Sequence, residues 1–137
     1  MENKILLEIV TPEKFLLKEN VDEVTAPGIE GEFGVLPGHT PFLTTLKIGE
    51  ISYKKGSEVK YIAVSWGYVE VEPSKVTILA ETAEMAEDID IKRAEEEKAR
   101  ALAALSKKDT EEKDFKVKEA SLEKAVVRMQ VAGRIGR

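Results

Sequence analysis

Short runs with period-two alternation fill the first 80 residues, and longer runs with a helical period fill the rest. Ile5-Leu6-Leu7-Glu8-Ile9-Val10 opens the chain, and Thr11-Pro12 breaks that run. Lys14 to Lys18 and Val21 to Ala26 follow, separated by Glu19-Asn20. Beyond a glycine-rich stretch come Phe42 to Lys47, Gly49 to Lys54, Glu58 to Ser65, Tyr68 to Glu72 and Lys75 to Ala80. Ile51 and Tyr53 alternate with Glu50, Ser52 and Lys54, and Val69 and Val71 alternate with Tyr68, Glu70 and Glu72. One face of each run is therefore apolar and the other wet, which is what a half-buried strand requires. Lys55-Gly56-Ser57 and Pro73-Ser74 read as hairpin turns, and Trp66-Gly67 as a tight link between two strands. Many short strands at this spacing predict an antiparallel β-sandwich or flattened barrel. The tryptophan and the tyrosines read as core or rim packing rather than as a ligand-stacking surface.

The second pattern predicts two helices. Asp88 or Asp90 caps a helix running to about Ser106. Asp109-Thr110-Glu111-Glu112 forms a capping box for a second helix, which runs to about Ala132, before Gly133. Ile91, Ala94, Ala101, Leu102 and Leu105 share one face of the first helix. Phe115, Leu122, Ala125, Val126 and Met129 share one face of the second. The short link makes the pair an antiparallel hairpin. Acid-before-base pairs four residues apart (Glu96/Arg100, Glu112/Lys116, Asp114/Lys118) each add a few tenths of a kcal/mol, so the charge runs read mainly as solvated faces. The apolar seam is rich in alanine and buries few methylenes, at about 0.8 kcal/mol each. A weakly held hairpin is an element expected to move.

Composition sharpens the division. All five prolines, seven of the nine glycines and seven of the eight aromatics lie before residue 80. The expected organisation is α+β in two parts: a β-sandwich domain over residues 1–86 and a helical hairpin domain over residues 87–137. With no cysteine, the 137-residue chain has no disulfide framework and no thiolate metal site, which suits a reducing compartment. No metal site is expected. A net charge of −5 argues against nucleic acid as a partner. No run is long enough for a transmembrane helix, and Met1-Glu2-Asn3-Lys4 carries no leader pattern, so the expectation is a soluble chain that meets a membrane only through other proteins. One histidine without cysteine forms no Cys-His pair, and neither a Gly-x-Ser-x-Gly elbow nor a phosphate-binding Gly-Lys-Thr/Ser loop occurs. No catalytic residue is expected.

The most unusual stretch is Gly28-Ile29-Glu30-Gly31-Glu32-Phe33-Gly34-Val35-Leu36-Pro37-Gly38-His39-Thr40-Pro41, which holds four glycines, two prolines and the only histidine. This density reads as tight turns holding a rigid loop, either a contact surface or turn scaffolding alone. Gly31-Glu32-Phe33-Gly34-Val35-Leu36-Pro37-Gly38-His39-Thr40-Pro41 closely resembles the signature of the epsilon-subunit family of bacterial F-type ATP synthases. The resemblance runs in order through nearly the whole chain.

Around the hairpin, residues whose numbers sum to roughly 216 should face each other, placing Lys124 opposite Lys92 and Arg128 opposite Asp88, near Asp90 and Arg93. Such opposed charges either zip the hairpin or, through Arg93, Lys124 and Arg128, form an anion pocket. Here the resemblance adds weight to the pocket. Ile89-Asp90-Ile91-Lys92-Arg93-Ala94 is similar to the motif by which several bacterial epsilon subunits bind ATP, and Glu84, Ile89, Asp90, Arg93, Ala94, Lys124 and Arg128 sit at matching positions. Lys124 stands where better-characterised ATP binders have arginine. The resemblance also assigns Thr11, His39 and Thr44 to contact with the gamma subunit, and Glu32 to polar loops of the membrane ring. For His39 the alternative is a structural histidine bonded within its own loop, and for Glu32 an exposed turn carboxylate.

What the family implies is a non-catalytic rotor subunit at the cytoplasmic face of the cell membrane, peripheral and held by its partners. The sandwich would couple gamma to the proton-driven ring. The mobile hairpin would reach the alpha and beta subunits of the catalytic head and inhibit ATP hydrolysis, with ATP as a regulatory ligand and no required cofactor. A free-standing nucleotide sensor and a generic sandwich/coiled-coil adaptor are the rival readings.

Overall fold

The computed structural model describes residues 3–107 and 111–135, apart from the side chain of residue 112. The chain forms two compact units, Met1–Met85 and Ala86–Arg137. Eight strands make up the first: β1 (Ile5–Val10), β2 (Phe15–Val21), β3 (Glu23–Gly28), β4 (Gly31–Val35), β5 (Phe42–Leu46), β6 (Gly49–Lys55), β7 (Glu58–Glu72) and β8 (Lys75–Met85). They join in the order β2-β1-β8-β7-β5-β3-β4, with β6 pairing both β3 and β7. The sheet folds over one apolar core as a β-sandwich. Every strand contributes to that core: Ile5, Leu7 and Ile9 of β1, Val21, Val24, Val35, Leu46, Ile51, Ile62, Val69 and Ile78 are among its buried members. Alternation in β1 is complete, with positions 5, 7 and 9 inside and the others partly exposed.

The longest strand explains how one sheet closes on itself. The first half of β7 pairs with β6, from Glu58↔Lys55 to Val64↔Gly49, and its second half pairs with β5, from Gly67↔Leu46 to Val71↔Phe42. The other edge of β7 pairs with β8 over most of its length, from Ile62↔Met85 to Glu72↔Lys75. Trp66-Gly67 was expected to separate two strands, yet the pairing runs straight through it. What changes there is the face. Ile62 and Val64 belong to the core before the dipeptide, and Val69 and Val71 after it, so the positions that enter the core cluster switch from even to odd numbers. Trp66 at φ 39° and Gly67 at φ 146° produce the switch. The interruption of pattern in the sequence is real, but it marks a turnover within one strand.

Two further expectations need correction. The glycine stretch is not loop throughout, because Gly31–Val35 forms β4 and pairs with β3 across the Ile29-Glu30 turn. Its alternation was hidden because Gly31 and Gly34 carry no side chain to reveal a face. Phe33 and Val35 supply the inward side, and the Phe33 ring meets Phe42 edge-on at 5.0 Å between centroids. The sheet is also not wholly antiparallel, since β1 and β8 pair in parallel from Leu6↔Lys75 to Val10↔Leu79. Local patterning marks strands but does not say which distant strand becomes a neighbour. Both expected hairpin turns form, at Gly56-Ser57 with Gly56 at φ 63° and at Pro73-Ser74. Tyr53 is buried, while Trp66 and Tyr68 lie on the surface.

The second unit holds a short 3₁₀ turn (Ala86–Asp88), α1 (Ile91–Leu105) and α2 (Glu112–Gly133). The α2 helix packs along α1 and against the 3₁₀ turn. Of the two expected caps, Asp90 caps α1 and Asp88 belongs to the 3₁₀ turn. Glu111 precedes α2 without a side-chain cap bond, and Asp109 and Thr110 of the expected capping box lie outside the described residues. Ala94, Ala101, Ala125, Val131 and Ala132 are buried. Leu102, Phe115 and Val126, expected in the seam, are instead among the exposed large apolar side chains. Alanine admits a neighbouring backbone closely and leaves little depth for a larger side chain, so the bulky members of each apolar stripe fall at its outer edge.

Candidate functional site

The N-terminal turn of α1 gathers most of the charged residues singled out in the sequence. Asp90 takes an extended conformation, and its Oδ1 accepts the Arg93 backbone N–H at 3.0 Å, which satisfies one otherwise orphaned donor of the helix. Ile89 and Ala94 are buried on either side of this cap. Arg93 projects outward, with its Nε 3.7 Å from Glu97 Oε2 one turn on. From α2, Arg128 reaches back and donates from Nη1 to Glu97 Oε1. Glu97 thus lies between two guanidinium groups from different helices. Only a fifth of the Arg128 side-chain surface is exposed, against 70% for Arg93, so the inter-helix pair is the better shielded of the two. Lys124 sits one turn before Arg128 and is half-buried.

Arg128 pairs with Glu97, a partner that the expected register did not name. Glu97 falls between Ala94 and Ala101 on the alanine face, where the small side chains let α2 close and a long guanidinium find the carboxylate. The numerical rule considered levels along the axes and neglected the reach and direction of side chains. Sequence reasoning missed Glu97 altogether. Its signal was its spacing, three after Ala94, four after Arg93 and four before Ala101. The predicted ion pairs Glu96/Arg100 and Asp114/Lys118 do not close among the described residues, and the Glu112/Lys116 pair falls on a side chain outside them. Glu84 belongs to the strand unit, in β8 opposite Ala63, and is half-buried.

The residues expected at subunit contacts lie in the sandwich. Thr11 closes the turn after β1, its Oγ1 accepting the Lys14 N–H at 3.2 Å. His39 Nδ1 lies 2.7 Å from the Thr40 carbonyl oxygen, which can only accept, so the ring carries its proton on Nδ1. The same ring tilts against Phe42 at 5.3 Å, and the loop is pinned by Gly38 N–H donating to Pro73 O at 2.7 Å. The imidazole is therefore bonded within its own loop. Thr44 is half-buried in β5 opposite Val69, and Glu32 is exposed in β4 opposite Pro27. Among the described residues no cluster of acids and histidine could hold a metal, and no helix is long and apolar enough to cross a membrane.

A second charged cluster ties the sandwich edge. Glu19 accepts from Lys55 Nζ and from the Tyr53 hydroxyl, each at 2.7 Å, and these bonds hold its carboxyl below the ordinary value, the Lys55 bond contributing most. Asp22 accepts from Lys4 Nζ and from the Gly56 N–H at 2.8 Å, and is lowered chiefly by the Lys4 bond.

Comparison with known proteins decides the family. Residues 4–86 match the beta-sandwich domain of the ATP synthase Delta/Epsilon chain, and residues 87–133 match its long alpha-helix domain. The chain belongs to the ATP synthase delta/epsilon family. It is 57% identical over 137 residues to the ATP synthase epsilon chain of Geotalea daltonii, covering 100% of this chain and 99% of that one. The epsilon chain of Geobacter sulfurreducens is 56% identical over the same span and coverage. Among solved structures, a chain of the Euglena gracilis mitochondrial ATP synthase superposes with a TM-score of 0.78 at 26% identity, covering 90% of this chain and 78% of that one. A chain in the Tetrahymena thermophila mitochondrial ATP synthase central stalk and c-ring structure gives 0.63 at 15% identity, which speaks to the fold alone. Membership in the ATP synthase delta/epsilon family makes this chain a non-catalytic subunit of that enzyme. The family's two domains meet after residue 86, and the two compact units meet after Met85.

Proposed function

We propose that this chain is the central-stalk epsilon subunit of a bacterial proton-translocating ATP synthase, and that its two units divide the work. The sandwich joins gamma to the ring of membrane subunits, so that rotation is passed on without slip. The hairpin moves between a compact form and an extended form that reaches the alpha and beta subunits of the catalytic head and blocks ATP hydrolysis. The observation that carries this reading is full-length similarity, at more than half of all positions, to bacterial ATP synthase epsilon chains. Thr11, His39 and Thr44 are the residues assigned to gamma, and Glu32 to the ring. His39 fits a contact of fixed geometry, because Phe42 and the Thr40 carbonyl hold its ring while Nε2 keeps its own bonding capacity. The subunit would sit at the cytoplasmic face of the membrane, peripheral and held by its partners.

ATP enters as a ligand that stabilises the compact hairpin, acting only through unequal affinity for the two forms. Asp90, Arg93, Ala94, Lys124 and Arg128, with Ile89 and Glu84, are the residues assigned to it. Arg93 and Arg128 supply planar forks suited to phosphate, and Lys124 a point charge. Co-expression with gamma tests the first part: a stable complex is expected, and a chain that elutes alone overturns it. Calorimetric titration of ATP into the full chain tests the second. Saturable binding that Arg93→Ala and Arg128→Ala each abolish is expected. Absence of binding at millimolar ATP makes the same arginines a structural zipper instead, a reading that their shared pairing with Glu97 favours.

A further inference from the structure

We infer that Glu97 is a resident competitor for the phosphate seat, an acid built into the hairpin that ATP must displace. The inference rests on the proposed assignment of Arg93 and Arg128 to nucleotide phosphates. Those two residues come from different helices, and the structure brings them to one carboxylate. Glu97 Oε2 faces Arg93 Nε at 3.7 Å, and Oε1 accepts from Arg128 Nη1. Each guanidinium thus has an oxygen of the same anion before it, the arrangement that a bridging phosphate group would take. Its side chain remains about a third exposed, so it can swing into water when the seat is taken.

The charge arithmetic sets the direction. Glu97 brings one negative charge to two guanidinium groups, and half-buried Lys124 lies one turn from Arg128. A polyphosphate offers more charge and more acceptor oxygens than Glu97, so it wins the exchange, at the cost of both pairs that the carboxylate made. Glu97 has a second effect when nucleotide is absent. Its bond to Arg128 bridges α1 and α2, so the empty hairpin is latched by the acid that lowers its affinity. Nucleotide concentration, rather than nucleotide presence, then decides when the acid latch gives way to the phosphate latch.

The test titrates ATP, and in parallel inorganic tripolyphosphate, into the full chain and into Glu97→Gln, with Glu96→Gln as a control. Glu96 is exposed, neighbours the site in sequence and carries the same charge, so the control removes one acid without touching the arginine pair. Glu97→Gln should bind both probes about threefold to tenfold tighter, the range expected from releasing two partly exposed ion pairs. Glu96→Gln should change either affinity by less than about twofold, since an exposed charge is screened. Glu97→Asp keeps the charge on a shorter stem that cannot span both arginines, and should fall between wild type and Gln. Circular dichroism checks that each variant keeps its helices, and the Asp variant carries the test should Gln lose them. Affinity in Glu97→Gln no higher than in Glu96→Gln overturns the inference, while binding lost in Arg93→Ala leaves the nucleotide site standing. Failure of every form to bind either probe removes the site and the inference together.

Discussion

At Gly67 the chain has no substitute for glycine. Its φ of 146° is a conformation L residues rarely adopt, and a Cβ there would overlap the Leu79 carbonyl of β8. Both problems lie in backbone, which cannot step aside as a flexible side chain could. Gly67→Ala should therefore cost about 3 kcal/mol or more in a denaturant titration, in the range of mutations that break a special backbone position. Gly34 provides the contrast, being exposed, with no positive φ and open space around its missing Cβ. Gly34→Ala should stay within about 0.5 kcal/mol of wild type. Acid behaviour is also decided by single residues. Glu19 and Asp22 are held below their ordinary values of 4.5 and 3.8, so the folded state keeps its carboxylates charged more readily than the unfolded chain does. Their contribution is complete above those values and drains as pH falls through the lower folded ones. Tyr53→Phe removes one of the two bonds that depress Glu19, and should narrow the difference in stability between pH 7 and pH 3 seen by thermal unfolding. An unchanged difference would show that the Tyr53 bond has no part in acid sensitivity.

The strands and the helices differ in what holds them. A core strand such as β7 places Ile62, Val64, Val69 and Val71 in one shared apolar cluster and is paired along both edges. Helix α1 buries two alanines, with Leu102 left exposed. At about 0.8 kcal/mol per buried methylene, the helical seam gains far less per residue than the sandwich. Amide exchange should reflect this: the α1 and α2 amides should exchange through openings of lower free energy than those of β7 and β8. Equal protection in both would refute the weak-seam account. Ala101→Leu should accelerate α1 exchange further, since overpacking typically costs about 1–3 kcal/mol. The same difference governs how far sequence could reach. Complete alternation in β1 and a capping aspartate before an Ala-Glu-Lys run are local signals, and both were legible. The extent of β4 was hidden by glycines with no face to show, and the unity of β7 by a turnover that mimics an end. The partner of Arg128 was illegible for a different reason. It depends on which α2 side chain can reach over a particular alanine, and axial level alone does not contain that information.

Across the whole molecule, stability should be unequally shared between the two units. The principal core members run from Ile5 to Ala80, so the sandwich core is complete before the helical unit begins. Nothing in its strand order requires residues beyond Met85. A fragment of residues 1–86 should therefore fold alone and unfold cooperatively, with a midpoint within a few degrees of the corresponding transition of the full chain. Residues 87–137 face the opposite arithmetic. A chain of about 50 residues buries a smaller fraction of its surface than a larger domain does, even when its core is built from large side chains. Here the helices offer mostly alanine, and helices without tertiary support are marginal in water. This second fragment should show partial helicity and a broad melt by circular dichroism. A sharp cooperative transition in it would mean that the hairpin is a self-sufficient domain, and the proposed switch would then need another source of mobility. A broad melt would mean that the hairpin's order depends on what it is given to bind, which is the property a ligand-responsive element requires.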